Sequence, residues 1–284
     1  MWPYIIKEPI PIGTYGVMMA IGFLTAYWLL SRELRRRNIP VKIAETTIFL
    51  GIVMGVIGAK LAYMFTEAES VSFKDFFSGS GLTWHGGLIL AATVIIVYYV
   101  VKGLPLLVML DAVAPTLATG YAFGRMGCQL AGDGDYGIAC SSTDFDFPVC
   151  MSYPRGIVPT TEDVHPTPVY EFINNFLLFG VLWSLRKHIR RPGLLFALYL
   201  IGSGLLRFGI EFIRQAEGRP ERFWGLRDAH LVALFQVVLG IGLGIYALVR
   251  RVPQTQAFGV LPVPVEEPSE ARAGRKGSRR RKGG

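Results

Sequence analysis

The sequence predicts an all-α, polytopic integral membrane protein with about seven transmembrane helices. Three observations carry that expectation. Hydrophobic residues make up 51% of the 284, and charged residues only 18%, against about 25% charged in an ordinary soluble domain. Mean hydropathy is +0.40. Several apolar runs approach the roughly 20 residues needed to cross a bilayer core as a helix. In lipid, backbone groups must be bonded within the segment, so these runs should be helical. A soluble globular enzyme and, outside the tail, a disordered chain are thereby excluded. The three cysteines form neither a disulfide scaffold nor a CxxC metal site.

In chain order, the apolar windows are 13–31, 43–66, 86–101, 107–124, 168–185, 194–213 and 229–249. The first is followed by Arg35, Arg36 and Arg37 with no basic region before it, which reads as a retained span rather than a cleaved signal. The fourth is the weakest, because it contains Asp111 and Pro115. Glycines recur in the second, sixth and seventh, where small residues let helices approach closely.

Orientation follows from the loop cations. Nineteen Lys and Arg fall on one side and eight on the other, with Lys60 and Arg207 inside spans. The N-terminus is then expected outside and the C-terminus in the cytoplasm, consistent with an odd number of spans. Two parts result: a membrane domain over 1–251, with an outer loop at about 125–167, and a disordered basic tail over 252–284. The tail's RKGSRRRKGG suits an anionic cytoplasmic leaflet, where each cation contributes about 1 kcal/mol, so no nucleic acid is expected. Cys140 and Cys150 lie in the outer loop. In an oxidising compartment they are expected to pair, two free thiols being the alternative.

Ionisable residues within spans are costly and point to function. His85, Arg125, Glu171, Arg207 and Glu211 all map toward the outside. Arg207, Glu211 and Arg214 stand at i, i+4 and i+7, on one helical stripe. One reading is a buried ion-pair network that fixes packing. Arg125, among Gly120, Gly124 and Gly127, adds a further cation. Arginines with too few carboxylates suggest a missing anion, most simply a phosphate, which guanidinium grips bidentately. At this depth the phosphate is that of a membrane lipid. His85 is the candidate general base, with helix packing as the other reading. His165, before Pro166, is expected to shape a turn. His230 is expected to cap a helix or meet a headgroup, and His188 to be solvated. Lys60 should extend outward along its stem, Asp111 should bond neighbouring backbone, and Tyr15 is either an interface anchor or a site residue.

Taken together, these segments resemble the phosphatidylglycerol–prolipoprotein diacylglyceryl transferase family, in order from about Pro11 to Arg250. TYGVMMAIGFLTAYW holds Tyr15, WHGGLIL holds His85, Gly86 and Gly87, and DAVAPTLATGYAFGRMG holds Arg125 and Gly127. HPTPVYE holds Glu171, and RFGIEFIR holds Arg207, Glu211 and Arg214. The resemblance implies transfer of a diacylglyceryl group from phosphatidylglycerol to the lipobox cysteine thiol of a prolipoprotein signal peptide, with glycerol phosphate leaving and no metal or organic cofactor. It makes His85, Arg125, Arg207 and Glu211 catalytic candidates. Tyr15, Gly86, Gly87, Gly127, Cys128, Asp133, Glu171 and Arg214 become candidates for substrate binding. The chain departs from the family pattern at Cys128, Ala131, Asp133, Pro168 and Ala229-His230. Cys128 is expected to be a small buried residue rather than a nucleophile. The competing reading is a transporter or lipid-binding membrane protein for an anionic substrate. No internal repeat supports a transporter, and the last span lacks the lysine a retinal protein requires.

Overall fold

A computed structural model describes residues 2–6, 12–66, 84–142, 149–215 and 225–250. The tail expected over 252–284 lies outside the described residues. Seven α-helices account for most of the chain: α1 (Thr14–Arg36), α2 (Lys42–Thr66), α3 (Trp84–Val101), α4 (Leu106–Ala131), α5 (Thr167–Leu185), α6 (Leu194–Glu211) and α7 (Asp228–Val249). Five of them, α1, α2, α4, α6 and α7, are long and apolar enough to cross a membrane. The fold is therefore that of a multi-pass membrane protein. The shorter α3 is also apolar, while α5 carries Glu171, Asn174 and Asn175 within its 19 residues.

The helices are not the whole architecture. Two short antiparallel ladders were not expected: β1 (Tyr4–Ile6) with β2 (Ile12–Gly13), and β3 (Met151–Tyr153) with β4 (Thr160–Val164). The second gives the loop between α4 and α5 its own substructure, together with a short 3₁₀ turn at Cys140–Ser142. Around it, Tyr136 stacks on Tyr153, ring centroids 4.9 Å apart. The Tyr153 hydroxyl donates to Gln129 Oε1 at 2.8 Å. Burial pushes that phenol up to about 12, against the opposing pull of the Gln129 bond. Cys140 and Cys150 are joined in a disulfide, so the bridged reading of the pair holds.

The described residues divide into two compact units, one of residues up to 29 and from 110 onward, the other of residues 30–109. In the second unit, α2 and α3 pack at a glycine seam. A Cβ on Gly58 would lie 2.5 Å from the Gly86 carbonyl oxygen and 2.7 Å from Leu90 Cβ, and one on Gly87 would lie 2.7 Å from the Gly55 carbonyl oxygen. Such contact is how helices associate in lipid, where burial of apolar surface gives no drive. Glu33, 1% exposed, accepts hydrogen bonds from Arg36 and Arg37 near the end of α1. Lys60, expected to extend outward along its stem, is 5% exposed.

In the first unit, α6 packs on α5 and α7. Asp111 accepts from the backbone N–H groups of Gly193 and Phe196, each at 2.8 Å. It thus satisfies donors at the start of α6 that the helix itself leaves unpaired, as the sequence suggested. Pro115 does not break α4. Thr116 and Thr119 nearby bond to the carbonyls of Val113 and Thr116, at 2.7 and 2.9 Å. Nor does α4 stop at 124. It runs to Ala131 and ends at Gly132, whose φ of +62° is the left-handed conformation glycine adopts at helix ends.

The glycine seam yields a paired test. Replacing Gly58 with Ala should lower stability by about 1–3 kcal/mol through overpacking. Gly55→Ala, whose Cβ would meet nothing within 4 Å, should leave it within about 0.5 kcal/mol. Thermal unfolding of the detergent-solubilised proteins measures both.

Candidate active site

The site is built on α4, α5 and α6 and on the loop after α4. Arg125 projects from the last turns of α4. Glu171 lies in α5, one turn beyond Pro168. That proline departs from the family pattern yet occupies the first turn of the helix, where no backbone N–H is needed. Arg207 and Glu211 occupy the last turn of α6. Glu171 and Glu211 are 2% and 1% exposed.

Glu171 is the hub. Its Oε1 accepts from Tyr121 Oη at 2.5 Å and from Arg207 Nη1 at 3.0 Å. Its Oε2 lies 3.0 Å from Arg125 Nε, close enough for charge pairing but not aligned as a hydrogen bond. Its own backbone carbonyl accepts from Asn175 Nδ2 at 2.8 Å. The Arg125 guanidinium also sits over the Tyr121 ring, 5.0 Å from its centroid, a cation–π arrangement. Arg207 Nη2 donates to Glu211 Oε2 at 2.7 Å, closing the expected i, i+4 pair.

Arg214 departs from the expected stripe. The helix ends at Glu211, and Phe212 and Ile213 form a turn. Arg214 instead pairs across an isolated bridge with Gly137. The chain turns there because Ile213 offers its carbonyl to Ile138 N at 3.0 Å. The Arg214 side chain reaches Asp135, which also pairs with Arg125. Thr167 Oγ1 donates to the Asp135 carbonyl at 2.7 Å. His165, rather than only shaping a turn, exchanges backbone bonds with Gly137 and Ile138 and is buried.

Three residues were missed as site members: Tyr121, Asp135 and Arg227. Tyr121 stands one turn before Arg125, a spacing that places both on one helix face and was there to be read. Asp135 lies in a glycine-rich stretch with no periodicity to point it anywhere. Arg227 Nη1 donates to the carbonyls of Glu211 and Arg214, both at 3.0 Å, and is 3.7 Å from Glu211 Oε1. His230 Nδ1 accepts from Arg227 N at 3.1 Å and caps α7, fulfilling the helix-cap reading. Its ring is packed by Phe208 and Phe212.

The expected shortage of carboxylates is corrected by this geometry. Among the described residues, Arg125, Arg207, Arg214 and Arg227 share three carboxylates, those of Glu171, Glu211 and Asp135. Sequence spacing could not reveal Asp135 as a partner. The bonded cluster keeps one positive charge in excess, and it is polarised. Arg125 and Arg207 retain 16% and 21% side-chain exposure, whereas Glu171 and Glu211 behind them are almost fully buried. Among the described residues, Arg125 Nη2 and Arg207 Nε have no protein acceptor. Those groups can donate to an anion without dismantling the pairs.

The other candidates are placed as follows. Tyr15 packs on α4 at Gly127, where a Cβ would lie 2.9 Å from the Tyr15 ring. Gly127 is therefore accounted for by helix contact. Cys128 is buried and unbridged, near Asp133 and Asp135. Asp133 Oδ1 accepts from Asp135 N at 3.4 Å. His85, Gly86 and Gly87 belong to the other compact unit. There His85 is exposed and without a hydrogen-bond partner among the described residues, and both glycines lie in the α2–α3 seam.

Burial alone would raise the Asp135 carboxyl, but Arg125 and Arg214 hold it below the usual carboxylate range. Its stabilising effect is therefore complete above about pH 4 and is lost as pH falls through the lowered folded value. Asp135→Asn should cost about 1–3 kcal/mol at pH 7, and the deficit relative to wild type should shrink below about pH 4. Unfolding temperatures across a pH series check this.

Comparison with known proteins identifies the family of the whole chain. The family model described as prolipoprotein diacylglyceryl transferase matches residues 3–246. Relatives named phosphatidylglycerol–prolipoprotein diacylglyceryl transferase include one from Leptospira interrogans, 31% identical over 80% of this chain and 86% of its own length. Another, from Clostridium tetani, is 32% identical over 80% and 90%. A third, from Dehalococcoides mccartyi, is 33% identical over 85% and 91%. With a match of that extent, the chain belongs to the prolipoprotein diacylglyceryl transferase family.

Proposed function

We propose that this protein transfers a diacylglyceryl group from phosphatidylglycerol to the lipobox cysteine thiol of prolipoproteins. The observation that carries this reading is the pair Arg125 and Arg207, held on either side of one buried carboxylate, each with an N–H group that has no acceptor among the described residues. A phosphodiester monoanion matches that arrangement in charge and in hydrogen-bonding capacity.

The sulfur attacks the glyceryl carbon attached to the phosphate oxygen. The carbon–sulfur bond forms as the carbon–oxygen bond breaks, and the electron pair stays on the departing glycerol phosphate. Arg125 and Arg207, assisted by Arg214, stabilise the charge that grows on that oxygen. The thiol, with an ordinary pKa of about 8.5, gives its proton to a base, for which the sequence nominates His85. Glu171 and Glu211 hold the guanidiniums in place. Tyr15, Gly86, Gly87, Gly127, Cys128 and Asp133 are assigned to substrate contact on the strength of the motifs alone. The chain needs no metal or organic cofactor for this chemistry.

The same reading places the protein in the bacterial inner membrane, with seven spans, the N-terminus outside, the C-terminus in the cytoplasm and the site toward the outer leaflet. The excess of Lys and Arg in the alternate loops supports that orientation. Residues 1–251 form the membrane domain, and the basic tail meets anionic lipid rather than nucleic acid.

Incubation of the purified protein with labelled phosphatidylglycerol and a lipobox peptide should give a covalent lipid–peptide product. Arg125→Ala and Arg207→Ala should each lower the rate by at least about 100-fold while the protein stays in the membrane, and His85→Gln should slow the step at neutral pH. Labelled lipid bound or moved without a covalent product would identify a carrier instead.

A further inference from the structure

We propose that Tyr121 is a positioning residue that sets the spacing of the two phosphate-gripping guanidiniums, acting through Glu171. The inference rests on reading the cluster as a clamp for a lipid phosphate. Tyr121 touches both halves of the clamp at once. Its hydroxyl donates to Glu171 Oε1 at 2.5 Å, the same oxygen that receives Arg207 Nη1 at 3.0 Å. Its ring carries the Arg125 guanidinium over its face at 5.0 Å.

The chemistry of the contact gives it one direction. An ionised carboxylate only accepts, so the phenol must donate, and its oxygen is fixed at the bridging carboxylate. Among the described residues Glu171 Oε2 has no aligned hydrogen bond, which leaves the Oε1 side to define how the carboxylate is turned. Two bonds converge on Oε1, and only the one from Tyr121 is neutral. Tyr121 therefore fixes Glu171 without adding charge to a cluster that must keep one cation in excess to hold a monoanionic phosphate. Tyr121 itself lies on α4, and its contacts reach Arg125 on the same helix, Glu171 on α5 and, through the carboxylate, Arg207 on α6. Removing the hydroxyl leaves the ring under Arg125 but lets Glu171 rotate between its two arginines, so the guanidinium spacing is no longer set.

Binding of phosphatidylglycerol and of diacylglycerol, which lacks the phosphate, to the purified full-length protein tests the assignment by native mass spectrometry in detergent. Tyr121→Phe should weaken phosphatidylglycerol binding about tenfold, as for loss of a hydrogen bond to a charged group, and change diacylglycerol binding less than twofold. Tyr121→Leu, which also removes the ring, should weaken phosphatidylglycerol binding further. In a Glu171→Gln background the Tyr121→Phe change should cost less than threefold, because the residue it acts through has lost its charge. Unchanged phosphatidylglycerol binding by Tyr121→Phe, or a parallel loss for both lipids, overturns the proposal. So does the same tenfold loss in both backgrounds. Failure of the wild-type protein to make lipidated peptide would refute the transferase reading alone, since the comparison of the two lipids judges Tyr121 independently.

Discussion

A single buried carboxylate, Glu171, sits between two arginines from different helices, and the rest of the site is arranged around it. Unit charges about 4 Å apart interact by roughly 4 kcal/mol at an effective dielectric near 20. Arg125 and Arg207 could not share one side of a helical bundle without a counter-charge between them. Glu171 supplies it, Tyr121 bonds its Oε1, and Asn175 bonds its backbone carbonyl. Burying a carboxylate is expensive unless it is paired and bonded. Here two guanidiniums and a phenol meet that condition.

The polarity of the cluster follows from which groups are hidden. Glu171 and Glu211 lie behind, and the more exposed side chains of Arg125 and Arg207 lie in front. Arginine suits this arrangement, because its planar fork can keep a carboxylate on one edge and offer donors on another. A lysine in either place would give a point charge that one partner consumes. Asp135, at 28% exposure, is the one accessible acid in the network. It joins Arg125 to Arg214 from a loop rather than a helix.

That loop is held by local structure. Gly132 turns the chain out of α4 with a positive φ, the Gly137–His165 and Ile138–Ile213 backbone bonds pair it with neighbouring segments, and Thr167 fastens the Asp135 carbonyl. The disulfide between Cys140 and Cys150 ties the 3₁₀ turn to the approach to β3. Arg227 then caps the end of α6 by binding the carbonyls of Glu211 and Arg214, while His230 receives the Arg227 backbone N–H. The family departures at Pro168 and His230 are thus accommodated as helix-start residues.

Composition and periodicity by themselves determined the seven helices, most to within a few residues of their observed limits, the structural part of Asp111 and the i, i+4 pairing of Arg207 with Glu211. Each of these depends on local pattern, on apolar run length or on spacing along one helix, which a sequence carries directly. Tertiary structure alone decided that the arginines are paired rather than bare, since Asp135 meets Arg125 and Arg214 across 10 and 79 residues of chain. It also decided that Arg214 leaves the helix and that α4 continues past Arg125. Glycine 86, 87 and 127 likewise acquired their packing partners only there. The reason is physical: a long-range ion pair or a backbone-to-backbone approach is defined by which surfaces meet, and neither hydrophobic period nor residue spacing encodes that meeting.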